Sequence, residues 1–119
     1  MNMTTLMKRN DLELRTLDFA RNVRNFIRKI PRGGTMRSDG DQVIRSSGSV
    51  GANYIEAQGA LSRKDFAMRI RICRKEAKES HYWLDLLDVP RVLTEEKELL
   101  MQEAVELVRM FTAMTKKLI

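Results

Sequence analysis

Four apolar stripes, each advancing by alternating steps of 3 and 4 residues, constrain this chain more than any other feature of its sequence. The first runs Leu12, Thr16, Phe19, Val23, Phe26, Ile30. The second runs Val43, Ser47, Val50, Tyr54, Ala57. The third runs Phe66, Ile70, Cys73, Ala77, Ser80, Leu84, Leu87, and the fourth Leu100, Ala104, Leu107, Phe111, Met114, Leu118. At 3.6 residues per turn such steps return to one face of a helix, and a face of this width is the seam of helices packed against helices.

The punctuation between the stripes agrees with four helices. Pro31-Arg32-Gly33-Gly34, Gly59 and Asp88-Val89-Pro90 are turn or breaker segments. Asn10 with Glu13 and Ser62 with Asp65 have capping spacing ahead of the first and third helices, and Ser38 with Asp41 has it ahead of the second. Thr94 followed by Glu95 and Glu96 offers an N-cap and acidic charge at the positive end of the fourth. The helices are expected at about 11–30, 39–58, 63–87 and 95–118, behind a flexible tail at 1–9. Each is roughly 20 residues, or about 30 Å long. Four matched rods on short connections make an all-α, antiparallel, up-down-up-down four-helix bundle, a single domain over 10–119.

Composition narrows the class. Charged residues make up 32% of the chain and aromatics only 6%, a balance that suits amphipathic helices and not a β-sandwich. The single cysteine, Cys73, has no partner for an internal disulfide, which points to a reducing, cytoplasmic compartment. Neither a membrane-length apolar run nor a signal-type leader is visible, so the expectation is a soluble, unexported protein with no membrane partner.

The second stripe crosses Arg45-Ser46-Ser47-Gly48-Ser49-Val50-Gly51-Ala52-Asn53, a segment poor in helix formers. Each interior glycine costs about 1 kcal/mol relative to alanine. A phosphate-binding loop would need G-x-x-x-x-G-K-[ST] after a strand, and neither is present. Val43, Val50 and Tyr54 keep the 3/4 register throughout, so the expectation is a helix whose small residues let a neighbour approach closely.

The third helix carries a second stripe, Arg69, Ile72, Glu76, Glu79, Trp83, beside its apolar seam. Two readings stand: surface salt bridges such as Lys75 to Glu79 at i,i+4, or a partly buried polar network or subunit contact in which Trp83 supplies an apolar body and one N–H.

Catalytic chemistry finds no foothold. A di-iron bundle needs Glu-x-x-His on two helices, yet the chain has one histidine, His81, and Lys78 stands three residues before it. Cys73 and His81 are separated by about 12 Å along one helix, too far for a nucleophile and its base. Cys73 lies on the apolar seam and reads as a small core residue. His81 borders the seam and reads as packed or capped, while Met68, Met101, Met110 and Met114 read as core filler. No catalytic residue, metal site or cofactor is expected.

The formal net charge is +6, and the excess is uneven. Arg21, Arg24, Arg28 and Lys29 concentrate it on the first helix, and Arg63, Lys64, Arg71, Arg74, Lys75 and Lys78 on the third. An uneven cationic surface is the footprint of a polyanion-binding protein, and these ten residues are the candidate nucleic-acid contacts.

Gln42-Val43-Ile44-Arg45-Ser46, Ser49 to Ala57 and Ser62 to Phe66 form one recognisable block, and Cys73 to Leu87 another. Together they resemble the bacterial 23S rRNA intervening-sequence protein family over about Asp11 to Leu118. The Asn53-x-x-Glu56 element and Lys75-Glu76-Ala77-x-Glu79 followed by Trp83-Leu84 carry the resemblance, while Ala57 departs from the glycine many members have. The resemblance implies a bundle that assembles into a homopentamer with a basic surface, without enzymatic activity, and with RNA or DNA as its partner. The chain is also similar to the pentameric accessory protein of diversity-generating retroelements, which implies a second kind of partner, a nucleic-acid enzyme such as a reverse transcriptase. Arg45, Asn53, Glu56, Glu76 and Glu79 match the family's recurring polar positions and, with Trp83, are the expected inter-helix network or subunit interface.

Overall fold

The computed structural model describes residues 10–31 and 33–118, without the side chains of residues 34 and 35; the tail expected at 1–9 lies outside the described residues. The described residues form helices α1 (Asp11–Arg28), α2 (Gly34–Gln58), α3 (Arg63–Leu86) and α4 (Thr94–Lys116), with a 3₁₀ turn at Arg91–Leu93 ahead of α4 and no strand among them. Each helix packs on its neighbours in sequence and α4 closes back onto α1, while α1 and α3, like α2 and α4, stand at opposite corners. This is the up-down-up-down four-helix bundle that the stripes require.

The seams meet in one core. Phe19, Val23, Phe26, Val43, Val50, Ile70, Cys73, Leu84, Leu107 and Phe111 are all buried. Tyr54 and Phe111 reach across the α2–α4 diagonal with ring centroids 6.2 Å apart. Met101, Met110 and Met114 pack against this core as filler. Met68 does not: it is 47% exposed, because it falls on the outer side of α3, away from the Ile70/Cys73 seam.

Two of the expected caps form. Asn10 Oδ1 accepts from the Glu13 amide at 2.8 Å, and Ser62 Oγ from the Asp65 amide at 3.0 Å. Asn10 also donates to the Tyr54 hydroxyl at 3.0 Å, tying the start of α1 to α2. The other two caps are corrected. α2 begins at Gly34, preceded by Gly33 with no side-chain cap. Ser38 therefore sits inside the helix, which extends a turn further because Met36 packs on the core and Gly40 lies under Ile27. Thr94 is likewise already helical, since the 3₁₀ turn feeds straight into α4.

The glycines of α2 do what close packing requires. A Cβ at Gly51 would lie 3.0 Å from Thr16 Oγ1 and 3.3 Å from Thr16 Cβ, so α1 presses directly on the α2 backbone there. The contact of α1 with α4 is the slightest of the four, and ion pairs reinforce it. Arg15 grips both oxygens of Glu103 at 2.8 Å, and Lys29 meets Glu96 at 2.6 Å. At the far end of α3, Lys97 donates to the carbonyls of Asp85 (3.0 Å) and Leu87 (2.7 Å), supplying the cation that a helix C-terminus favours.

Candidate nucleic-acid interface

On α3 the seam and the cations separate onto opposite sides because the sequence runs both in the same 3/4 rhythm, half a turn apart. Lys64, Arg71, Lys75 and Lys78 are all exposed. They share an outer stripe that continues through Met68 and Tyr82, in the order 64, 68, 71, 75, 78, 82. From Lys64 to Tyr82 this stripe is about 27 Å long. None of its four cations has an ion-pair partner among the described residues. Arg74 flanks the stripe half-buried, and Arg63 is exposed with Nη2 directed to the Lys117 carbonyl at 3.3 Å.

The cations of α1 are differently placed. Lys29 is engaged with Glu96, and Arg24 lies over Gly48 and donates to the Ala20 carbonyl at 3.4 Å. Arg28 is exposed and bonds Asn25 at 2.9 Å, and Arg21 is exposed. Because α1 and α3 are at opposite corners of the bundle, their outward cations point away from each other. The ten candidate contacts thus do not make one patch. α3 carries the continuous stripe, and α1 contributes two outward arginines on the other side.

The second stripe of α3 faces α2 of the same chain. Arg45 reaches across from α2, with Nη1 3.2 Å from Glu76 Oε2 and Nη2 on Glu79 Oε1. Glu79 Oε1 also accepts from Trp83 Nε1 at 3.1 Å. Lys75 is therefore not its partner: the carboxylate turns inward, where a guanidinium and an indole N–H await it. Further along, Arg69 Nη1 donates to Asn53 Oδ1 at 3.1 Å, while Asn53 Nδ2 bonds the Ser49 carbonyl and hydroxyl. Next to the Arg45 set, at its end away from Arg69, the buried hydroxyls of Ser46 and Ser80 lie 2.9 Å apart. Glu56 stays out of this ladder. It is exposed on α2, one turn beyond Asn53, with no side-chain partner among the described residues.

Trp83 is half-buried and packs on the core of its own chain. Its indole meets the Tyr82 ring edge-on, centroids 5.2 Å apart at 81°. Tyr82 itself is 59% exposed at the end of the cationic stripe. Sequence reasoning passed over it. Its signal was the same register as the cations, four residues after Lys78 and seven after Lys75.

The ladder spends its charges internally, and Cys73 lies in the core where the seam places it: burial pushes its thiol up to about 12, leaving almost no thiolate near neutral pH. His81 borders a shallow groove with Lys78, Val105, Val108 and Arg109. An apolar groove of about 240 Å³ between α1 and α2 is lined by Leu17, Ala20, Gly48, Gly51, Ala52 and Ile55, with Thr16 and Glu13 as its polar members. No helix among the described residues is long and apolar enough to cross a membrane. No cluster of three metal-ligating side chains occurs among them either.

Residues 9–113 match the family model described as 23S rRNA-intervening sequence protein. Among solved structures, the chain is similar to a protein with unknown function from the S23 ribosomal protein family of Bacteroides thetaiotaomicron, at 30% identity over 87% of this chain and 97% of that one, with a TM-score of 0.77. No curated protein matches the chain.

Proposed function

We propose that this chain, which belongs to the 23S rRNA-intervening sequence protein family, is a non-enzymatic homo-oligomeric bundle that binds RNA or DNA through a basic surface. The observation that carries this reading is the α3 stripe: four exposed cations on one face, none neutralised by a carboxylate among the described residues. Side chains so placed exchange condensed counterions for phosphates, which yields affinity that is strongly salt-dependent and largely blind to sequence. Repetition of the stripe around a homo-oligomer, a pentamer by the resemblance, converts a weak patch into avidity. Leu61, Val92 and Leu99 are 99%, 86% and 65% exposed, apolar surface that assembly would cover.

The test replaces Arg71, Lys75 and Lys78 together with alanine and follows binding to structured RNA and to duplex DNA across a salt series. Each lost phosphate contact lowers the slope of log K against log salt by about 0.9 on duplex DNA, so the triple variant should fall by between 2 and 3 (about 0.9 for each of its three residues). A folded triple variant with an unchanged slope would move the function off α3.

A protein partner is the second reading, since Met68, Tyr82 and Leu86 add exposed apolar surface along the same face. A partner retained from the native host after nuclease treatment would favour it.

A further inference from the structure

We propose that the α3 stripe takes single-stranded nucleic acid, with Tyr82 as the platform on which an unpaired base stacks. This deepens the reading above and rests on it. A stripe of lysines and arginines alone would serve any polyanion. What distinguishes this one is an aromatic ring in register with the cations. Residues four apart on a helix are surface neighbours, so Tyr82 stands beside Lys78, one turn further along the row that begins at Lys64. It is the exposed aromatic of that row, at 59% exposure.

The ring is also held. Trp83 meets it edge-on at 5.2 Å. The indole in turn is fixed by Glu79, which is pinned by Arg45 from the neighbouring helix. The inter-helix ladder thereby ends in an aromatic side chain braced on one side and open to solvent elsewhere. A ring ordered before the ligand arrives loses less conformational freedom on binding. Base–aromatic stacking is tolerant of sequence because every base has a π-face, and a row of cations beside such a ring is the usual composition of single-strand sites. A duplex hides its base faces in its own stack and offers the ring only phosphates and groove edges. The stripe would therefore hold both forms by charge and gain from Tyr82 only on a single strand.

The experiment measures fluorescence anisotropy of the full chain with an unstructured oligouridylate and with a duplex of equal length, at low and moderate salt, for the wild type, Tyr82→Phe, Tyr82→Leu and Tyr82→Ala. Single-strand affinity should fall about tenfold in the leucine and alanine variants and stay near wild type in the phenylalanine variant. Duplex affinity and both salt slopes should not change, because no phosphate contact is removed. Tyr82→Leu keeps an apolar body against Trp83 and guards against a folding defect, which circular dichroism would report. A folded Tyr82→Leu protein with wild-type affinity for oligouridylate, or one that loses duplex affinity as much as single-strand affinity, overturns the inference while leaving nucleic-acid binding in place. Binding of neither ligand at low salt overturns the proposed function itself.

Discussion

Cys73 and Glu79 show how a side chain's surroundings, and not its type, decide its chemistry. Cys73 lies fully buried on the α3 seam with its thiol raised to about 12. Since the folded pKa is raised above the unfolded one, the protonated fold is favoured below the unfolded value, and that contribution is lost as pH climbs through about 9 towards 12. Near pH 8 a thiol reagent should therefore fail to label the native protein and should label it stoichiometrically in denaturant, which mass spectrometry would read directly. Fast native labelling would mean that the α3 seam opens. Glu79 presents the converse case. Spacing offered its i,i+4 lysine as one of two readings, but an exposed pair of that kind is worth only about 0.3–0.5 kcal/mol. Arg45, which also holds the buried Glu76, and the part-buried Trp83 indole give the Glu79 carboxylate a charge-assisted bond and a second donor at once.

α2 carries the clearest contest between propensity and packing. Its glycines weaken it as an isolated helix, yet it runs unbroken from Gly34 to Gln58 because α1 and α3 flank it. The two central glycines differ in what they permit. Above Gly48 the nearest neighbour is the flexible tip of Arg24, at 3.4 Å from an added Cβ. Gly48→Ala should stabilise the fold by up to about 1 kcal/mol through helix propensity alone. Gly51 faces the Thr16 Cβ at 3.3 Å, a position without such freedom. Gly51→Val should cost about 1–3 kcal/mol by forcing α1 away. Urea unfolding of the pair should move the midpoints in opposite directions; equal shifts would mean that α1 does not press on α2 at Gly51.

The whole molecule places its two cationic helices at opposite corners, so charge that reads as one basic excess along the chain becomes two separate surfaces. Only that of α3 is continuous. Oligomer formation belongs to this scale as well. Light scattering at micromolar concentration should give a mass several times that of one 13.8 kDa chain, and a monomer there would remove the assembly from the proposal. Removing Arg21 and Arg28 should weaken nucleic-acid binding less than removing Arg71 and Lys75, because among the described residues the α1 pair has neither a third exposed cation in line nor an exposed aromatic beside it. Equal losses would assign the binding surface to both corners.

Fold and seams were legible in the chain alone, because helical periodicity is a local property: Phe19, Val50, Ile70 and Leu107 announce their burial through spacing, and Asn10 and Ser62 announce their caps through the residues three positions on. Capping signals misled in two ways: Met36, packed on a core distant in sequence, carried α2 back past Ser38, and the adjoining 3₁₀ turn absorbed Thr94 into α4. The polar positions of α2 and α3 could be named from spacing and resemblance, but the partner of each could not. Arg45 and Glu79 are 34 residues apart and meet only because α2 and α3 are neighbours. The same holds for the surface. Which cations remain unpaired, and that Lys78 stands beside an exposed Tyr82 while Lys29 is spent on Glu96, depends on how four rods are arranged around one core. Burial follows from each helix's own pattern, whereas pairing and exposure follow from which helices are adjacent.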